Sequence, residues 1–143
     1  MYTSKVRRAI EKYLEDRPDE AAFLRSEFNG CGKTRSGVDK ALRAMVEDGT
    51  FVRVGYGAFV KAETIVSPIT KMPVTVPAAL TRTWAAQLLR KLGINPQLDS
   101  AWRAYNEGRS TQVPAWLAFD VGKSRITRQI GFGKGRLVYE RSR

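Results

Sequence analysis

The main candidates for functional residues in this chain are its arginines and lysines, which can bind anionic partners. Lys and Arg number 25 against 14 Asp and Glu, the net charge is +11 at pH 7, and there is no histidine. A chain without histidine can form neither a Ser-His-Asp triad nor a His-ligated metal site. A single cysteine, Cys31, also leaves no thiolate zinc site and no intramolecular disulfide. We therefore predict no catalytic residues, no metal and no cofactor, in a chain that is not an enzyme.

Most of the candidate binding residues lie between residues 33 and 56. They combine cationic and hydroxyl side chains, which can contact bases or phosphates: Lys33, Thr34, Arg35, Ser36, Lys40, Arg43, Arg53 and Tyr56. Arg35 is the best candidate for reading a base, because Arg can form two hydrogen bonds with guanine. The lysines and the other arginines fit phosphate contacts, which position a protein without reading sequence. The alternative for this group is an ordinary solvated helix face.

A second basic group lies near the C-terminus. Residues 71–143 hold 13 Lys and Arg against 4 Asp and Glu, a net of +9, whereas residues 1–70 hold 12 against 10, a net of +2. The candidates for a secondary surface, facing nucleic acid or an acidic partner, are Lys123, Arg125, Arg128, Lys134 and Arg136. Charge of this size attracts polyanions, of which nucleic acid is the commonest. A merely solvated sheet face is the alternative.

The elements that must position the first group are three helices and a hairpin. We predict helices at 4–15, 20–28 and about 36–48, the last capped by Ser36 or Thr34, with Ser36 and Asp39 resembling a capping box. A hairpin over 50–61 follows, with a tight tip at Gly55-Tyr56-Gly57. In a helix-turn-helix protein with a wing, the second helix of the motif enters the major groove and the wing contacts the flanking backbone.

The remainder of the chain predicts a second lobe. Residues 63–77 contain three prolines and predict an extended linker with room for one edge strand. A helix is expected at 78–92 and a shorter one at 96–107, before a basic β-meander with strands at 113–121, 124–132 and 136–141. The predicted fold class is therefore α+β, with a winged helix-turn-helix domain at 1–62, the linker at 63–77 and a helical and β-meander lobe at 78–143.

Several of these stretches together resemble a known family. "ALRAMVEDG", "FVRVGYG" and "AFV", followed by "GRSTQVP" at 108–114 and the basic meander, resemble AbiEi-type antitoxins and related prokaryotic winged-helix regulators over roughly residues 22–139. The resemblance implies an autoregulatory repressor that binds operator DNA and is encoded beside a toxin of the nucleotidyltransferase type. It also implies that Lys33, Thr34, Arg35, Ser36 and Lys40 face the major groove and that Arg53 and Tyr56 lie on the wing.

Two other functions stay open at this point. The chain could be an antitoxin or adaptor that binds an acidic protein through its basic C-terminal lobe, or it could bind RNA or single strands through the meander. We expect a cytoplasmic protein without a membrane partner, because no apolar run approaches the roughly 20 residues that span a bilayer. The operator, the oligomeric state and any sensed ligand are not specified by the sequence.

Overall fold

A computed structural model describes residues 5–98, 108, 118–132 and 136–140 of the chain. Two α-helices, a short strand and a 3-10 helix come first: α1 (Lys5–Glu15), β1 (Ala22–Leu24), the 3-10 helix (Arg25–Cys31) and α2 (Arg35–Glu47). Strands β2 (Phe51–Gly55), β3 (Ala58–Val66) and β4 (Pro73–Pro77) follow, and then α3 (Thr81–Lys91). The last elements are the short strands β5 (Gln97–Leu98), β6 (Ala118–Asp120) and β7 (Val138–Glu140). Mixed helices and antiparallel sheet confirm the α+β class.

The main sheet has the strand order β1-β3-β2, and all its pairs are antiparallel. The outer half of β3 runs beyond β2 and pairs with β4, from Ala62 opposite Pro77 to Val66 opposite Pro73. Side chains alternate between the two faces with the period of two that strands impose. The sheet therefore has two apolar faces, and each needs its own cover.

One face of the sheet packs on the first helices. Phe23, Phe51 and Phe59 form a buried cluster with Phe28 of the 3-10 helix, and the ring centroids of Phe28 and Phe51 are 6.1 Å apart. The apolar stripes of α1 and α2 close this core through Ile10, Val38, Leu42 and Met45, which are all at most 2 % exposed. Burial of this stripe fixes which face of α2 remains outside.

The other face of the sheet packs on α3 and the C-terminal segment. Trp84 and Leu88 of α3 are fully buried with Val60 of β3, and Phe119 and Ile130 belong to the same core. The segments predicted as separate domains at 1–62 and 78–143 thus share one hydrophobic core. The helix expected at 78–92 is confirmed as α3, which ends before Gly93.

The helix predicted at 20–28 is wrong. Residues 22–24 form β1, which pairs with Ala58–Val60, and a 3-10 helix replaces the rest. The Gln87 side chain of α3 accepts hydrogen bonds from the amides of Ala21 and Ala22, at 2.6 and 3.3 Å. Pairing with a distant strand and a distant side chain therefore outweighs the local helical pattern.

The segment predicted as a linker, 63–77, is a β-hairpin over most of its length. Glu63–Val66 complete β3, and Pro73 and Pro77 lie at the two ends of β4. Proline fits this strand because β4 is paired with β3 alone and its free edge needs no donor. The strand that the sequence allowed at this place is therefore present.

The predicted β-meander is confirmed in part, because β6 and β7 lie within the strands predicted at 113–121 and 136–141. The middle strand predicted at 124–132 is wrong, since these residues form no regular strand and β6 pairs directly with β7, in parallel. The amide of Gly131 instead donates to the carbonyl of Val54 at 2.8 Å, so this stretch lies along the edge of β2. Gln97 and Leu98, predicted as helical, form β5. The predicted helix at 99–107, the "GRSTQVP" turn beyond Gly108, and Lys134 lie outside the described residues.

Candidate nucleic-acid interface

The N-terminal end of α2 is capped by Thr34. Its hydroxyl accepts a hydrogen bond from the amide of Gly37 at 3.1 Å, and its own backbone is extended, as a capping residue requires. Thr34 is thus the cap rather than Ser36. The capping box predicted from Ser36 and Asp39 is wrong, because the Asp39 carboxylate is held by Arg25. Ser36 is left on the exposed surface.

Cationic and hydroxyl residues cover the exposed side of α2. Ser36, Lys40 and Arg43 follow one another at i, i+4 and i+7, so they share one helix face opposite the buried stripe. Lys33 is exposed just before the helix, and the Arg35 side chain is 74 % exposed in its first turn. We refer to this exposed set as the α2 face: Lys33, Thr34, Arg35, Ser36, Lys40 and Arg43.

Asp39 is the acidic residue in the N-terminal half of α2, and the other carboxylates, Glu47 and Asp48, lie at its C-terminal end. Asp48 follows the helix about 20 Å from Arg35 at 1.5 Å of rise per residue. Burial raises the pKa of the Asp48 carboxyl, but hydrogen bonds from Thr50 and Arg7 outweigh burial and lower the pKa overall. The ion pair with Arg7 of α1 holds this carboxylate at the C-terminal end of α2. Because Asp39 is paired with Arg25, the N-terminal half of the helix keeps a net positive charge.

The turn between β2 and β3, Gly55 to Gly57, projects two more of the candidate residues. Tyr56 is 75 % exposed, and the Arg53 guanidinium carbon lies 5.8 Å from the centroid of its ring. Nε of Arg53 also donates to the carbonyl of Gly55 at 3.3 Å. Gly57 has φ of +64°, a conformation that costs little only for glycine. We refer to this turn as the β2–β3 tip.

A groove of about 340 Å³ separates the α2 face from the β2–β3 tip. Its floor is apolar, with Leu42, Val46 and Phe59. Its rim carries four arginines and one acidic residue: Arg25, Arg35, Arg43, Arg53 and Asp39. The rim therefore has a net positive charge, and we call this space the α2 groove.

Part of the second basic group meets the same tip from behind. The Arg128 guanidinium donates a hydrogen bond to the carbonyl of Tyr56. Arg128 and Arg136 line a second groove, of about 460 Å³, together with Arg53 and Tyr56. We call this space the edge groove, because it follows the outer edge of β2. Lys123 and Arg125 are exposed on the same segment but line neither groove.

In this region the sequence analysis missed one residue, Arg25, and one contact, between Arg128 and Tyr56. Arg25 was assigned to a helix without a role, yet its amide donates to the Gly57 carbonyl at 2.8 Å and its guanidinium binds Asp39. The contact between Arg128 and Tyr56 joins positions 72 residues apart. Neither set of contacts can be recognised from a local sequence pattern, because each depends on which distant segments the sheet brings together.

The Cys31 thiol shows no sign of activation. Burial raises the pKa of this thiol, which disfavours the thiolate that nucleophilic or metal chemistry would need. Within the described part of the chain there is no cluster of three or more His, Cys, Asp or Glu residues that could hold a metal ion. None of the described helices is long and apolar enough to cross a bilayer.

Comparison with known proteins gives no assignment. No model of a known protein family matches the chain, and no curated protein matches it significantly.

Proposed function

We propose that this chain is a sequence-specific duplex-DNA-binding regulator in which residues 5–66 form a winged helix. α2 is the recognition helix, and the β2–β3 tip is the wing. The order helix, strand, short helix, helix, strand, strand supports this proposal, as does a sheet in which β3 lies between β1 and β2. In such a domain the recognition helix stands on one side of the sheet and the wing extends beside it.

One observation carries the proposal. The α2 face and the β2–β3 tip lie on either side of one positively charged groove, with Asp39 as the acidic residue on its rim. A helix about 10–12 Å wide fits the DNA major groove, and a wing beside it can reach the neighbouring phosphates. The charge and the spacing that duplex binding needs thus coincide on one surface.

The contacts divide by the chemistry of each side chain. Arg35 and Ser36 are exposed in the first turn of α2, where a recognition helix meets base edges. Lys33, Lys40 and Arg43 supply cations for phosphates on both sides of the major groove, and Arg53 and Tyr56 serve the phosphates beside the wing. Thr34 holds the helix N-terminus through its cap, and that terminus also favours an anion.

The test is an equilibrium titration of the protein with three nucleic acids at two salt concentrations. The probes are the duplex upstream of its own gene, a scrambled duplex of the same composition, and a single-stranded RNA. The proposal requires a preference for the upstream duplex that survives the higher salt, since phosphate contacts weaken with salt whereas base contacts keep their discrimination. A preference for the upstream duplex also supports autoregulation.

Two results would contradict the proposal. Equal binding to all three probes that collapses at the higher salt would mean a basic surface without sequence recognition. Tighter binding of the RNA would favour the single-strand function considered from the sequence. In the first case the next experiment is capture of an acidic protein partner by the purified chain.

A further inference from the structure

The edge groove has the composition of an anion site. Arg53, Arg128 and Arg136 line it with Gln129, and among the described residues that line it none is acidic. Gly55 and Gly131 add backbone without side chains, which lets a ligand approach closely. Arginine is the side chain best suited to phosphate oxygens, because its planar guanidinium donates two parallel hydrogen bonds.

The segment that carries Arg128 is held in place by hydrogen bonds and by burial of Ile130. The Arg128 carbonyl accepts a hydrogen bond from the Tyr139 hydroxyl at 2.6 Å, and its guanidinium is bound to the Tyr56 carbonyl. The Gly131 amide pairs with Val54 at 2.8 Å, and the Leu137 amide pairs with Ile130 at the same distance. Ile130 is fully buried beneath this segment. The edge groove is therefore preorganised, which reduces the entropy that binding must offset.

The position of the edge groove identifies its ligand. It shares Arg53 and Tyr56 with the α2 groove, so the two grooves lie on either side of the β2–β3 tip. A duplex bound by α2 continues past the tip, and each of its strands presents a further phosphate for about every 3.4 Å of helix axis. The sugar-phosphate backbone is thus the anion that this geometry brings to the edge groove.

We propose that the edge groove binds a backbone phosphate of the same duplex, beyond the phosphate that the wing contacts. Arg136 and Arg128 are its ligands, and Arg128 also positions the tip through Tyr56. This inference rests on the proposed function. It assigns to the C-terminal segment a defined contact with DNA in place of a separate basic lobe.

The first experiment compares Arg136→Ala with Arg125→Ala. Arg125 is a matched control because it is exposed on the same segment but lines neither groove. Duplex affinity is measured for wild type and both variants over a range of salt concentrations. We expect Arg136→Ala to reduce the slope of log K against log salt by about 0.9, the value for one lost phosphate contact. Cognate and scrambled duplexes should weaken by the same factor, and Arg125→Ala should keep the wild-type slope. Equal slopes for the two variants would overturn the proposal.

The second experiment locates the phosphate. Duplexes with one neutral methylphosphonate linkage are scanned along each strand with wild type and with Arg136→Ala. The expected result is one position whose neutralisation weakens wild type severalfold and leaves Arg136→Ala unchanged. Absence of any such position would contradict the inference. If Arg43→Ala weakens binding while Arg136→Ala does not, the inference fails and the proposed function stands; if wild type does not bind duplex, both fail.

Arg128→Lys and Arg128→Ala provide a separate readout of positioning. Lysine keeps the charge but offers a single ammonium in place of the planar donor. We expect Arg128→Lys to retain the wild-type salt slope with weaker affinity, because the tip is less well held, whereas Arg128→Ala loses both affinity and slope. A wild-type affinity in both variants would show that the edge groove does not contact DNA.

Discussion

The Arg25 guanidinium pairs with the Asp39 carboxylate and so joins the start of the 3-10 helix to the first turns of α2. A second nitrogen of the guanidinium donates to the Asn29 side chain at 2.9 Å, and the amide of Arg25 donates to the Gly57 carbonyl at 2.8 Å. One residue therefore contacts Asn29 in the 3-10 helix, Asp39 in α2 and Gly57 in the β2–β3 tip. It fixes the spacing of the two elements that the proposed function requires to act together.

Replacing Asp39 with Asn should strengthen DNA binding. The change removes the negative charge from the rim of the α2 groove, while the amide oxygen can still accept the hydrogen bond from Arg25. We therefore expect affinity for cognate and scrambled duplexes to rise severalfold at low salt. The Asp39 side chain is 40 % exposed, and loss of such an ion pair should cost about 1 kcal/mol or less of unfolding free energy. Duplex titration and urea unfolding measure the two effects. Weaker binding to the scrambled duplex would contradict a role for this groove in holding phosphates.

Replacing Arg35 with Ala should cost roughly 1–3 kcal/mol on the cognate site and relax the preference at one base pair. Arg90→Ala is the matched control, because it removes an exposed arginine from α3 on the opposite side of the sheet. Titration against duplexes substituted one base pair at a time measures both changes. If Arg35→Ala keeps wild-type affinity and preference, α2 does not read bases through this residue.

Replacing Gly55 with Ala should loosen the C-terminal segment from β2. A Cβ at this position would lie 2.9 Å from the Gln129 carbonyl oxygen, too close for that backbone to stay where it is. The hydrogen bond from the Gly131 amide to the Val54 carbonyl should then open, and exchange of the Gly131 amide with deuterium should accelerate. Gly30→Ala is the control, because a Cβ at Gly30 would have no heavy atom within 4 Å. Gly122 is less suitable, since its φ of +64° would strain an alanine. Unchanged Gly131 protection would refute the contact.

Tyr13 should ionise at a higher pH in the folded protein than a free tyrosine does. Burial is the main cause that raises the pKa of its phenol to about 12, and a hydrogen bond to Glu27 adds to it. Because the folded-state pKa lies above the ordinary value of about 10, this group stabilises the fold below that pH and the contribution is lost as the pH rises toward 12. The absorbance titration of wild type minus that of Tyr13→Phe should have its midpoint near 12. A midpoint near 10 would mean that the phenol is not buried against Glu27.

Local periodicity predicted the elements whose packing is local. α1, α2, α3 and the β2–β3 hairpin carry amphipathic or turn patterns of their own, and the residues of the α2 face could be named because they follow one helix. The 20–28 segment failed because Phe23 belongs to a strand that pairs with Phe59, far along the chain. Apolar residues of a three-residue strand and of a helical turn are alike in sequence.

The C-terminal segment could not be predicted for a related reason. Alternation in "SRITRQI" is typical of a strand, but residues 124–130 follow the edge of β2 without regular pairing, and Ile130 is buried there. The sequence identified Arg128 and Arg136 as basic but gave no sign that Arg128 meets Tyr56. Charge can be counted in a sequence, whereas the neighbour that a charge contacts is decided by the fold.

Duplex binding through α2 and the β2–β3 tip can be mapped by following backbone amide NMR shifts as a duplex is added to the 16.0 kDa protein. The probe is the duplex that binds best in the titrations. We expect the largest shifts at 33–43 and 53–57, smaller shifts at 128–131 and no shifts along α3. Shifts concentrated in α3 or in the β3–β4 hairpin, with residues 33–43 unchanged, would contradict this expectation.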